Sequence, residues 1–160
     1  MSTFVLDTTM VLGYIRAAAY AEYTEKRFSV WVPPNIAIVS VVTIGEIYSL
    51  SMQFGWGDGK QKKLKDILNK IPVVNINHPE VLGRYAEIDA FSQGKHPSKK
   101  LPTGMTSRNM SKNDIWIAAT GSVLNAILLA TDHDFDHLDS VFLKVEYIDQ
   151  SLNGSDVNAQ

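Results

Sequence analysis

The chain has 160 residues, 45% of them hydrophobic, with 15 Lys and Arg against 17 Asp and Glu, four His and no Cys. That length suits one domain with a filled core, and no run approaches the roughly 20 apolar residues that a membrane-spanning helix needs. The absence of Cys excludes disulfides and thiolate metal sites, so any bound metal must be held by oxygen or imidazole, and a cytoplasmic protein is expected.

The opening segment MSTFVLDTTM carries an acid at position 7 and no basic stretch, so it does not read as a signal peptide. Thr3–Leu6 is a short apolar run ended by Asp7 and predicts a buried first strand. From Thr8 the period turns helical, with Val11, Leu12, Ile15 and Ala18 or Ala19 on one face. Ile36–Val42, β-branched and preceded by Pro33-Pro34, predicts a second strand, and Thr43 begins a helix through Ile47, Leu50 and Met52. The glycine-rich Phe54–Lys60 predicts a loop, followed by a lysine-rich helix over Gln61–Ile71 and a third strand over Val73–Ile76. His78–Gln93 predicts a helix that buries Val81, Leu82, Tyr85, Ile88 and Phe91, whereas Gly94–Ser111 lacks an apolar period and predicts a long loop. Asn113 is the expected N-cap of a helix reaching about Leu124. Ala126–Ala130 then predicts a fourth strand, Asp132–Leu138 a short turn or helix, and Val141–Ile148 a fifth strand. Residues 1–150 are expected to form one domain and 151–160 a flexible tail.

Strands alternating with helices define an α/β chain: a three-layer α/β/α sandwich around a central, mostly parallel five-stranded sheet with right-handed crossovers. Such sheets bind ligands beyond the carboxyl ends of their strands, where the strand order reverses. Asp7 follows the first strand and Asp132, after Thr131, follows the fourth. If those strands are neighbours at the reversal, the two carboxylates face each other across the crevice.

The net charge of −2 conceals a polarised chain. Residues 60–112 hold 11 Lys and Arg against Asp66, Glu80, Glu87 and Asp89, while residues 113–139 hold five Asp and no Lys or Arg. A polyanion suits the first region and a cation the second, although many such charges simply solvate helix faces. Most of the candidate acids have ordinary explanations taken singly. Asp7 would cap the helix after it, Asp114 would favour a helix dipole, and alternating acids in TDHDFDHL cannot all point one way. Glu46, within the largely apolar VVTIGEIYSL, is less readily a solvated charge. Gathered together, ionised carboxylates repel unless a hard cation neutralises them. Magnesium or manganese suits such oxygen donors and supports in-line displacement at a phosphodiester.

Four segments, FVLDTTMVLGYI, VVTIGEIYSL, KNDIWIAATGSVLNAILLATDHDFDHL and the final strand, resemble the PIN-domain family, and within it the VapC-like toxins of toxin–antitoxin pairs. The resemblance spans about Phe4 to Ile148 and is most specific in NDIWIAAT and LLATDHDF. It implies a metal-dependent endoribonuclease using Mg²⁺ or Mn²⁺, a dimer held inactive by a cognate antitoxin. It places Asp7, Glu46, Asp114 and Asp132 on the acidic catalytic positions, with Asp7, Asp114, Asp132 and Asp134 as metal ligands. Thr8, Thr9, Thr43, Lys112, Asn113 and Thr131 flank these acids as candidates for supporting or substrate contacts, Thr9 standing where many members have Asn or Ser. The implied partners are an RNA substrate, the antitoxin and a second copy, with no membrane.

Other readings fit less well. A phosphatase of the DxDx type needs an acid where Thr9 stands, and a receiver domain needs an Asp where Asn77-His78 follow the third strand. A non-catalytic binder of polyanions has no reason to cluster carboxylates, whereas a housekeeping PIN nuclease without an antitoxin is harder to separate. His133 and His137 stand four apart, but a zinc site needs further ligands. Arg108, Lys99 and Lys100 lie in the long loop as candidate phosphate contacts. Trp116 falls in an apolar stripe, whereas Trp56, on the glycine-rich loop, is the better candidate for a partner contact.

Overall fold

A computed structural model describes residues 1–159. Five strands, β1 (Thr3–Leu6), β2 (Ile36–Ser40), β3 (Val73–Val74), β4 (Ile127–Ala130) and β5 (Lys144–Tyr147), form one sheet in the order β3-β2-β1-β4-β5. Every pairing is parallel, so the sheet expected to be mostly parallel is wholly so. Six α-helices accompany it: α1 (Thr8–Arg16), α2 (Ala19–Phe28), α3 (Val41–Gln53), α4 (Asp58–Leu68), α5 (Pro79–Ser92) and α6 (Lys112–Val123).

Alternation along the strands explains the layering. Phe4 and Leu6 of β1, Ala37 and Val39 of β2 and Leu129 of β4 pack with residues of α1 to α4, including Met10, Tyr23, Ile47 and Leu64. The residues between them, Val5, Ile38 and Leu128, pack instead with Ile88 and Phe91 of α5 and Ile115 and Ile117 of α6. Successive strand side chains point to opposite faces, so a strand apolar at every position must be covered on both sides. Fully burying each such side chain contributes roughly 1.5–3 kcal/mol, enough to fix the register against a one-residue slip.

Helix α6 lies close against the central strand. A Cβ built on Gly121 would stand 2.6 Å from Val5 Cγ1 and 3.1 Å from Leu143 Cδ1. Gly121→Ala therefore adds a methyl group where none fits. Despite better helix propensity it should destabilise the protein by about 1–3 kcal/mol, read as a lower midpoint in chemical denaturation with unchanged slope.

Several elements depart from the sequence expectation. The helix from Thr8 stops at Arg16 because Ala17 adopts φ 52°, ψ 44°, and α2 begins two residues later. Strand β2 ends at Ser40 and α3 starts at Val41, two residues ahead of Thr43. The glycine-rich loop is shorter than expected, since Gly57 is the N-cap of α4 and Asp58 its first residue. The third and fifth strands are shorter than their apolar runs. The tail folds back: Leu152 and Val157 pack on the cluster that covers α2, and Gly154 is buried so close to Glu22 that a Cβ there would stand 2.5 Å from its Oε1.

Candidate functional site

Strands β2 and β4 flank β1, and the strand order reverses at β1, so a crevice opens beyond the carboxyl ends of β1 and β4. Asp7 occupies that position at the end of β1. It is 4% exposed and the N-cap of α1, its Oδ1 accepting from the Met10 amide at 2.6 Å. Oδ2 accepts from the Thr131 amide at 3.0 Å, tying β1 to the end of β4. Burial pushes the Asp7 carboxyl up to about 7 against the lowering effect of these two amides, and nearby Asp132 and Asp114 push the same way.

Asp114 comes from the first turn of α6. Ser111 rather than Asn113 caps this helix, its Oγ accepting from the Asp114 amide at 3.1 Å. A hydroxyl at the N-cap position satisfies an amide that has no intrahelical partner. Ser111→Ala should cost about 1 kcal/mol in urea unfolding and loosen the turn that carries Asp114. Burial raises the Asp114 pKa, the hydrogen bond to Ser111 opposes this, and Asp132, Asp134 and Glu46 add repulsion.

Asp132 follows Thr131 and caps its own turn, its Oδ1 accepting from the Asp134 amide at 2.9 Å. Its pKa is raised by burial and by Asp134 and Asp136, and lowered by that amide and by His133. Fully buried Phe135 anchors the turn, leaving Asp132 and Asp134 exposed at its surface. Asp7, Asp114 and Asp132 thus share one neighbourhood, with Asp134 at its outer edge.

Glu46 plays a different part. Its Oε2 accepts from the Thr8 hydroxyl and its Oε1 from the Asn113 side-chain amide at 2.6 Å. Those partners immediately adjoin Asp7 and Asp114 in sequence, so Glu46 on α3 braces the two segments that carry them. Asn113 is therefore part of this brace and not the cap expected of it. Thr131 contributes its backbone amide, and Thr9 contributes its carbonyl oxygen, which accepts from the Tyr20 hydroxyl at 2.9 Å. Lys112 is exposed on the first residue of α6. Thr43 is fully buried with its hydroxyl unpartnered, and so is Ser40, which ends β2 beside β1. Ser40 escaped the sequence reading although the strand-end rule that selected Asp7 applies equally to it.

The donor chemistry fits a hard cation. All the groups are oxygens, they raise one another's pKa, and a divalent ion would relieve that repulsion. Among the described residues no three Asp, Glu or His side chains are drawn together as a finished cage, and Asp7 spends both oxygens on amides. The two histidines do not converge. His133 pairs with Asp136 at 2.7 Å and stacks on Tyr147, whereas buried His137 bonds Ser92 Oγ through Nε2 at 2.7 Å. Trp116 packs against Tyr85, as an apolar stripe predicts. Trp56 is half-buried against the core with the Lys60 ammonium 4.0 Å over its ring, so it packs on the domain as well as reaching its surface.

The five-stranded parallel sheet with helices on both faces is an α/β/α sandwich of PIN-like fold. Similar solved structures include VapBC2 from Rickettsia felis bound to a DNA fragment from their promoter, with 16% identity, 92% of this chain and 99% of that chain covered, and a TM-score of 0.72. VapBC-1 from nontypeable Haemophilus influenzae matches over 91% of this chain and 97% of that one, at 19% identity and a TM-score of 0.64. FitAcB from Neisseria gonorrhoeae matches over 92% and 97%, at 18% identity and a TM-score of 0.62. No protein-family model and no curated protein matches the chain. The shared fold thus extends over almost the whole of each compared chain at identities below 20%.

Proposed function

We propose that this protein is a metal-dependent endoribonuclease, a VapC-like toxin held in check by a cognate protein antitoxin. The observation that carries the reading is that Asp114 and Asp132 lie near enough to Asp7 to raise its pKa, at the switch point of a sheet whose fold is shared with toxin–antitoxin structures. Asp7, Asp114, Asp132 and Asp134 are the residues that would hold Mg²⁺ or Mn²⁺. The ion would supply Lewis acidity towards a phosphodiester and a water molecule.

The chain's own contribution is positional. The amides of Met10 and Thr131 fix both Asp7 oxygens, and the Glu46 brace fixes Thr8 and Asn113. Groups that are already oriented need no rearrangement at the moment of reaction. Lys112, exposed two residues before Asp114 on α6, is the residue proposed to meet a phosphate.

A partner is supported by the outer face of α3, where Tyr48 is 49% and Met52 81% exposed, with Phe54 68% exposed just beyond. Three large apolar side chains within seven residues are an unusual surface for a solitary domain. An antitoxin and a second copy of the chain are the occupants proposed for such surfaces. Among the described residues no helix is long and apolar enough to cross a membrane, and the proposed setting is the cytoplasm.

The test is incubation of total cellular RNA with purified, partner-free protein in Mg²⁺, Mn²⁺ or EDTA. Discrete fragments that require metal support the nuclease. Intact RNA under both metals, with protein shown to be folded, leaves a binding module. Cleavage by a protein with no inhibitory reading frame beside its gene leaves a nuclease without an antitoxin.

A further inference from the structure

The loop over residues 94–111 returns to its own origin. Gly94, at φ +70°, lies against Ser107, whose Cβ is 3.7 Å from where a Gly94 Cβ would stand. The Arg108 amide donates to the Ser92 carbonyl at 2.8 Å and closes the neck. Ser92 is itself fully buried and held by His137 at 2.7 Å, so the base of the loop rests on packed core. A cleft of about 260 Å³ opens at this neck, lined by Gln93, Lys95, Ser107, Arg108 and Asn109. Two cations, two amides and a hydroxyl face it, and no carboxylate does.

Asp89, one turn back on α5, accepts from Gln93 at 2.9 Å and from neither cation. Among the described residues no carboxylate lies within ion-pair distance of Lys95 or Arg108. A guanidinium that is half-buried without a counter-ion is costly, and a bound anion would offset that cost. Its planar fork matches phosphate oxygens, and the surrounding donors suit the remaining lone pairs. Lys99, on the same loop, is directed elsewhere, over the Phe142 ring at 5.5 Å. From Arg108 the chain runs through Met110 into Ser111 and the first turn of α6, which carries Asp114. The cleft is thereby joined to the acidic site by a segment pinned at both ends.

We propose that this cleft is a phosphate subsite, in which Arg108 and Lys95 grip the backbone of single-stranded RNA beside the bond presented to the carboxylates. This rests on the endoribonuclease reading above, and it assigns positioning of the strand, not chemistry, to the loop. A backbone contact carries no base information, so the subsite fixes register and affinity for any sequence.

The test is fluorescence anisotropy of a labelled single-stranded RNA with the full chain in EDTA, at several salt concentrations. Arg108→Ala should weaken binding about tenfold at low salt and flatten the salt dependence by about one unit of slope, with Lys95→Ala smaller in the same direction. Lys62→Ala, on the exposed face of α4, should leave binding unchanged. Arg108→Lys should fall between the wild type and Ala, because it keeps the charge and loses the fork. The bond that closes the neck is made by the Arg108 backbone, so the Ala variant should keep its thermal midpoint. Wild-type affinity in Arg108→Ala overturns the proposal, and so does inorganic phosphate titrating the cleft without displacing RNA, which marks a free-anion site. Metal-dependent cleavage with unaltered binding in Arg108→Ala sinks the subsite and spares the nuclease. Arg108-dependent binding without cleavage under any metal does the reverse.

Discussion

Replacing Asp114 by Asn should reduce metal-dependent RNA cleavage about a hundredfold or more while raising the thermal midpoint of the protein in EDTA. The loss follows from the charge. A carboxylate that helps to hold a dication contributes several kcal/mol to stabilising a phosphodiester transition state, and each 1.4 kcal/mol is about tenfold in rate. The gain follows from burial and repulsion, which already raise the Asp114 pKa when no metal is bound. A neutral isostere removes that strain, so activity and stability move in opposite directions. Asp114 is a cleaner position for this experiment than Asp7. Both Asp7 oxygens accept backbone amides, and Asn there would set its own N–H against one of them. Cleavage at the wild-type rate in Asp114→Asn would remove the acidic cluster from the chemistry. Lost cleavage with a lowered midpoint would reduce Asp114 to a folding residue.

The second large effect is on the pH dependence of metal binding. The Asp7 carboxyl, held up at about 7 mainly by burial, is substantially protonated in slightly acidic solution when metal is absent. A metal binds the ionised form and must displace that proton. Apparent Mn²⁺ affinity should therefore rise about tenfold per pH unit, or roughly a hundredfold between pH 5 and pH 7, and level off above 7. Titration calorimetry in buffers of different ionisation enthalpy reads both the affinity and the proton released. An affinity flat across that range would contradict the role given to Asp7. The fold has a pH dependence of its own at the acid end. Burial, and to a lesser degree Arg108, lower the His137 pKa from 6.5 to about 4. The folded protein then binds fewer protons than the unfolded chain between those values, so this histidine withdraws stability as pH falls from 6.5 towards 4. Asp7 runs the other way: its raised pKa contributes stability at low pH that is lost as pH rises through about 7. Affinity measurements belong with a parallel check of folding at each pH.

Much of this was legible in the sequence because the strands are apolar at nearly every position and each is followed by helical periodicity. Placing Asp7 and Asp132 at strand ends required only that pattern and the switch-point rule, and the neighbouring β1 and β4 bear it out. The missed elements share a cause. Helix α1 ends at Ala17 in a left-handed conformation, with no glycine or proline in the Ala-rich stretch to mark the break, so α2 went unseen. At the start of α6, Ser111 and Asn113 are equally good caps by composition. The choice between them was made by the distant Glu46, which takes the Asn113 side chain across 67 residues of chain. The packing of Trp56 and the return of Leu152 and Val157 onto the core are long-range events too, without local signature. What periodicity cannot carry is pairing across the molecule, and Glu46 illustrates it: sequence marked it as an unusual acid, but its two partners emerge only from tertiary structure.

The order of strands has a bearing on how the protein is made. The central strand β1 is synthesised well before its neighbour β4, which supplies the Thr131 amide to Asp7 and leads into Asp132. A nascent chain that stops short of β4 holds Asp7, Glu46 and Asp114 on an incomplete sheet. On the endoribonuclease reading proposed above, cleavage would have to wait until β4 joins the sheet, a delay written into the topology.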